Sequence, residues 1–177
     1  MLLQLSGAIL VLTAAALAGL YYGSFETYRS NDLQDLKKAL TILNSEIVFS
    51  MTPLPQAFVN IGARVRKPVG DIFLEFAERL TRSRRESFDF SIEEIWQSCL
   101  SAEMGKTYLN KEDTAALISF GRTLGYLDRD MQASGITVAI GYIDTAIAAL
   151  AETRAKNQKL FTSLGVFAGL MTVIILL

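Results

Sequence analysis

The chain has 177 residues, 17 Lys+Arg against 18 Asp+Glu, and a formal net charge of −1, which gives no electrostatic footprint for nucleic acid. It has no histidine and one cysteine, Cys99, so Ser-His and Cys-His pairs, an internal disulfide and the commonest zinc ligand are all excluded. Hydrophobic residues make up 51% of it, and the excess sits at the two ends, because every charged side chain lies between Glu26 and Lys159.

Residues 1–23 are free of charge and read as a transmembrane helix. Residues 160–177 are equally free of charge and read as a second. A bilayer core takes roughly 20 apolar residues as helix, and a charge at its centre costs about 2.5–3.5 kcal/mol. The pattern therefore predicts a membrane hairpin carrying a helical domain, residues 24–159, between its legs. Ala15, Gly19 and Gly23 in the first leg and Gly165 and Gly169 in the second recur at four-residue spacing, which admits close helix packing in lipid. That contact is either between the two legs or with another subunit. Ala16-Leu17-Ala18 also fits a signal-peptidase site, so a second reading stands alongside: cleavage there, leaving an extracytoplasmic, tail-anchored domain acting as an adhesin or envelope sensor. The absence of Lys or Arg before the apolar run, and the length of that run, favour the retained anchor.

Ser30-Asn31-Asp32 offers caps for the first helix of the middle domain. Its stripe is Leu33, Leu36, Leu40, Leu43 and Ile47, widened by Ala39 and Ile42, the pattern of a helix packed on other helices. Thr52-Pro53 predicts an N-cap and an N1 proline for a second helix, with Leu54, Ala57, Phe58, Ile61 and Val65 inward. Pro68 ends it by disfavouring helical geometry at Lys67. A third helix buries Val69, Ile72, Phe73, Phe76 and Leu80 and turns Glu75, Glu78 and Arg79 outward. Arg79, Arg82, Arg84 and Arg85 then form a cationic stretch. It reads either as a solvated helix end and loop or as a docking point for anionic lipid or an acidic partner.

Ser91-Ile-Glu-Glu94 is a capping box opening a fourth helix through Ile95, Trp96, Cys99 and Leu100, on whose apolar face Cys99 reads as a buried, inert thiol. Asn110 caps a fifth, with Leu117, Ile118, Phe120 and Leu124 inward. Gly121 is expected to admit a neighbouring backbone, Gly125 to stand at the helix C-cap, and Asp128 to cap the next helix. Geometry alone accounts for all three. The Gly125–Asp130 turn, with Asp128 and Arg129, is also an exposed connection that a partner can grip. From Asp128 to Lys159 one helix is predicted, running into the second leg, with Gly135 and Gly141 as soft spots. Ile136, Ile140, Ile143, Ile147 and Leu150 form its stripe, with Val138, Tyr142 and Ala149 widening the buried face.

Glu75, Glu78, Glu93, Glu94, Glu112 and Asp113 fall on polar faces or in first turns, where solvation and the helix dipole explain them. With no phosphate-binding loop and no Cys/His metal spacing, no catalytic, cofactor or metal residue is assigned. Arg29, Lys37 and Lys38 follow the first leg and Arg154, Lys156 and Lys159 precede the second, which by the positive-inside rule puts the domain in the cytoplasm.

Leu36-Lys-Lys-Ala-Leu40 with Ser45-Glu-Ile47, then Thr52-Pro-Leu54, then Phe73-x-x-Phe76-Ala77 lead to Phe120-Gly-Arg-Thr-Leu-Gly-Tyr-Leu-Asp-Arg129 with Gln132, and to Lys159-x3-Ser163-Leu-Gly165. In these segments the chain resembles, along essentially its whole length, the stage III sporulation protein AB family of endospore-forming Firmicutes. That family looks like a relative of the inner-membrane platform proteins of type II secretion and type IV pilus systems. The resemblance implies an all-α fold, an antiparallel six-helix bundle like the secretion F-domain, between two transmembrane helices. It implies a non-enzymatic role in a secretion-like channel between mother cell and forespore, in the cell membrane with the domain on the mother-cell side. Its implied partners are the ATPase stage III sporulation protein AA and the other stage III channel proteins. The chain has one module where platform proteins usually have two, and homo-oligomerisation is one way to supply the other.

Overall fold

The computed structural model describes the backbone of residues 2–86, 91–125 and 128–176, with side chains for residues 25–85, 91–125 and 128–157. The described residues form α1 (Leu2–Val48), α2 (Leu54–Gly62), α3 (Val69–Glu86), α4 (Ile92–Glu103), a 3-10 turn (Met104–Lys106), α5 (Lys111–Thr123) and α6 (Arg129–Leu176), with no strand among them. The chain divides into two compact units, one of Met1–Tyr28 with Ala148–Leu177 and one of Arg29–Ile147.

In the Arg29–Ile147 unit, the α1 stripe of Leu33, Leu36, Ala39, Leu40, Leu43 and Ile47 is buried as its spacing predicts. The expected start at Ser30–Asp32 is wrong, because α1 runs through it. No proline or glycine lies between Gly23 and Pro53 to stop a helix. The cap residues are also used elsewhere: Asp32 accepts the Tyr108 backbone N–H at 2.7 Å, and Ser30 is buried. Thr52 likewise does not cap α2. Its hydroxyl donates to the Glu46 carboxylate, which leaves Pro53 as the N-cap residue with no side-chain cap.

The capping boxes at Ser91–Glu94 and Asn110–Asp113 both form with both reciprocal bonds, and α4 and α5 start where the sequence puts them. Asp128 caps α6 by accepting the Asp130 N–H at 3.0 Å. Gly125 follows α5 without the left-handed backbone of a glycine cap, since no described glycine has positive φ. The helix closes instead on Leu124, whose N–H reaches the Gly121 carbonyl at 3.2 Å.

The centre is an aromatic cluster between sequence neighbours α2, α3, α4 and α5, which pack in consecutive pairs. Trp96 meets Phe76 edge-on at 5.2 Å and Phe120 at 5.6 Å, with Phe73 at 5.8 Å and Phe58 at 6.1 Å. Its indole N–H donates to the Leu117 carbonyl at 2.7 Å. Gly121 is what lets it in: a Cβ there would stand 2.1 Å from Trp96 Cδ1. The close neighbour expected at Gly121 is therefore an indole ring rather than backbone. Gly135 has the same function, since its Cβ would lie 2.5 Å from Thr123 Cγ2.

Ile136, Ala139 and Ile143 of α6 are buried, while Ile140 and Ile147 are half-buried. Val138 does not widen that face, being 72% exposed, because two residues beyond Ile136 lies the opposite side of a helix. Ala149 is exposed too, and Ile118 of α5 is half-buried.

Residues 2–23 and 160–176 of the expected membrane legs fall within α1 and α6 as helix, and the legs' side chains, including Ala15, Gly19, Gly23, Gly165 and Gly169, lie outside the described residues. Among the described residues one stretch, Arg129–Asn157, is long and apolar enough to cross a membrane by length and composition, with mean hydropathy 1.5. Part of that stretch also packs in the Arg29–Ile147 unit through Ile136, Ala139 and Ile143, and its Asp144 pairs with Lys37 at 2.7 Å.

Candidate partner-docking surface

All four arginines of the cationic stretch lie on α3 itself and none in a loop. Arg79 is tied down: it pairs with Glu75 at 2.6 Å and donates to the Ser98 hydroxyl of α4. Arg82 is exposed and pairs with Glu78 one turn back at 2.7 Å. Arg84 and Arg85 are exposed and make no ion pair among the described residues. The available cations are thus Arg82, Arg84 and Arg85, with Arg79 bracing α3 against α4.

Beside them an open groove of about 440 Å³ is lined by Val59 of α2 and by Leu74, Ala77, Glu78, Thr81, Arg82 and Arg85 of α3. These α3 positions recur at helical spacing along one face. Sequence spacing does not single out Val59 and Leu74, because their adjacency arises only when α2 packs on α3.

The second expected surface, the turn between α5 and α6, exposes Gly125, Asp128 and Arg129. On α5 and α6 lies another groove, of about 480 Å³, whose lining includes Phe120, Thr123, Met131, Gly135 and Val138.

The polar feature that sequence reading misses is Asp113. Its expected place is a solvated first turn, but it is 1% exposed and shared by three helices. Arg29 of α1 donates Nε to Oδ2 at 2.8 Å and Nη2 to Oδ1 at 3.0 Å. Tyr142 of α6 donates its hydroxyl to Oδ1 at 2.9 Å, and the Asn110 N–H completes the set at 2.9 Å. The available signal is spacing: Asp113, Leu117, Phe120 and Leu124 follow the apolar seam of α5 at intervals of 4, 3 and 4.

Burial pushes the Asp113 carboxyl upward, yet the donors from Arg29, Asn110 and Tyr142 outweigh it and hold the group below the usual carboxylate range. Asp32 goes the other way. Burial there outweighs the Tyr108 N–H, with Asp35 adding repulsion, so its carboxyl is raised. The two have opposite linkage. A depressed folded pKa stabilises above the unfolded value of about 3.9 and loses that as pH falls through it; a raised one opposes folding at neutral pH. Asp32→Asn, which keeps an oxygen for the Tyr108 N–H, is therefore expected to change stability at pH 7 by less than about 1 kcal/mol. Thermal unfolding of the full chain in detergent checks it, and a loss of several kcal/mol would contradict the assignment.

Cys99 is fully buried, and burial pushes its thiol up to about 11, so it is inert at neutral pH. No group of three or more His, Cys, Asp or Glu converges as a metal site among the described residues.

Residues 4–177 match the family model described as stage III sporulation protein AB. The chain is similar to stage III sporulation protein AB of Bacillus subtilis (strain 168), with 30% identity over 179 aligned residues that cover 99% of this chain and 100% of that protein. It is also similar to a solved structure of a stage III sporulation protein AB, with TM-score 0.66 at 26% identity, covering 73% of this chain and 98% of that one.

Proposed function

The chain belongs to the stage III sporulation protein AB family, and from that membership we propose that it is a non-enzymatic platform of a secretion-like channel between mother cell and forespore, docking a cytosolic ATPase at the membrane. In this reading residues 1–23 and 160–177 are the membrane legs, and residues 24–159 form an antiparallel six-helix bundle on the mother-cell side. The ATPase stage III sporulation protein AA is the direct partner, other stage III channel proteins surround it, and self-association is a further contact.

The observation that carries the docking part is the state of the cations on α3. Arg79 braces the fold, while Arg82, Arg84 and Arg85 are exposed on its last turns, next to apolar side chains that the core does not absorb. Gly125, Asp128 and Arg129 offer a second grip, with less to recommend it, because Asp128 is explained by its cap.

Reversing charge at Arg82, Arg84 and Arg85 together is expected to lower co-purification of the ATPase from detergent by about tenfold. The melting temperature should stay within about 4 °C, since exposed surface positions change stability by only a few tenths of a kcal/mol. Undiminished co-purification of the triple variant would contradict the assigned surface.

A further inference from the structure

We propose that the groove between α2 and α3 takes an acidic amphipathic helix of the partner protein, with its apolar side on Val59 and Leu74 and its carboxylates on Arg82 and Arg85. The inference rests on the platform reading and adds the chemistry of what the platform grips.

The floor is apolar without a core reason. α2 buries Ala57, Phe58 and Ile61 and leaves Val59 42% exposed, and α3 buries Ile72, Phe73 and Phe76 and leaves Leu74 37% exposed. Leu74 is also held in place. It lies over Gly62, where a Cβ would stand 2.3 Å from its Cγ, so the glycine gives it a seat against α2. Such a fixed, exposed apolar side chain is pre-organised for contact, and ordering it at binding costs little.

Along α3 the groove changes from apolar at Leu74 and Ala77 to cationic at Arg82 and Arg85. The twelve residues from Leu74 to Arg85 span about 17 Å of helix, three turns, which suits a partner helix presenting anchors at i, i+4 and i+7. The preference for cations at a helix C-terminus explains arginines there, but it does not explain the apolar floor beside them.

Charge decides the sign of the occupant. Glu78 holds Arg82 at 2.7 Å, but both side chains are largely exposed, and such a pair is weak enough for an incoming carboxylate to displace. Arg85 has no ion pair among the described residues, and Arg84 adds a further charge nearby. A lipid surface fits less well, because polybasic membrane patches use about 4–8 cations and here the apolar residues lie in a concave floor.

The test uses the full chain in nanodiscs of zwitterionic lipid, with empty discs as blank, and fluorescent synthetic peptides of about 16 residues. One peptide is an amphipathic helix with leucine anchors and flanking glutamates. The second replaces each glutamate by lysine, and the third scrambles the first. The first is expected to bind about tenfold tighter than the others, and Leu74→Glu and Arg85→Glu each to weaken it about fivefold with unchanged helical circular dichroism. Equal binding of the scrambled peptide, or binding indifferent to both substitutions, would overturn the proposal. So would retention of the chain on phosphatidylglycerol vesicles with no peptide selectivity, which would assign the surface to lipid. ATPase co-purification separates this from the platform reading. If wild type and both variants retain the ATPase equally, the groove fails and the platform stands; if wild type retains none, the platform itself fails.

Discussion

Asp113→Ala is expected to cost the fold about 3–5 kcal/mol, the range for removing one partner of a buried ion pair. The substitution strands every group around it. The Arg29 guanidinium, with 18% of its side chain exposed, keeps its charge and loses its bidentate acceptor. The Tyr142 hydroxyl and the Asn110 N–H lose theirs, and α5 loses half of its capping box. Arg29→Met made alone leaves Asp113 with two donors, Tyr142 and Asn110. The double variant Arg29→Met/Asp113→Ala should therefore be less damaged than the sum of the singles, because no unpaired charge remains. Unfolding followed by Trp96 fluorescence measures all three. Acidification should mimic the substitution: the carboxyl's depressed pKa means its contribution persists above about 3.9 and fades as pH falls through the folded value. An Asp113→Ala protein as stable as wild type would show that the shared carboxylate does not hold α1, α5 and α6 together.

The second large effect lies at the aromatic centre. Trp96→Ala should cost about 3–5 kcal/mol, through lost burial and the cavity left among Phe58, Phe73, Phe76 and Phe120. Gly121→Ala in the wild-type background should cost about 1–3 kcal/mol, because the new methyl meets the indole at 2.1 Å and rings on several sides prevent it from moving aside. Combined with Trp96→Ala, the same glycine substitution should cost almost nothing, or even stabilise, by filling space and raising helix propensity. Simple additivity of the two changes would refute the contact as the reason for the glycine.

These two sites also show what local sequence does and does not carry. The seam of α1 and the boxes at Ser91 and Asn110 are legible because spacing and capping are properties of neighbouring residues. Ser30–Asp32 misleads because cap chemistry is also hydrogen-bonding chemistry, and a tertiary partner, the Tyr108 N–H, claims Asp32. Asp113 carries two signals that point in different directions: its first-turn position suggests solvation, while its place on the seam, which the expectation passes over, marks it as buried. Val138 is misplaced by assuming a broad buried face on a helix whose core contact is narrow. At the candidate site, composition identifies the arginines as a group. Which of them is spent on the fold depends on α4 lying beside Arg79, and the groove depends on α2 lying beside Leu74, neither of which local spacing encodes.

The central claim, that the helical domain stands on the mother-cell side where a cytosolic ATPase reaches it, is tested most directly by labelling Arg84→Cys with a membrane-impermeant maleimide in intact sporulating cells. Arg84 is exposed, and Cys99, buried with its thiol pushed up to about 11, stays silent. No labelling is expected until the cells are lysed, and complete labelling afterwards. Labelling of intact cells would contradict the claim, put the domain outside, remove the ATPase as a direct partner and favour cleavage at Ala18 over the retained anchor.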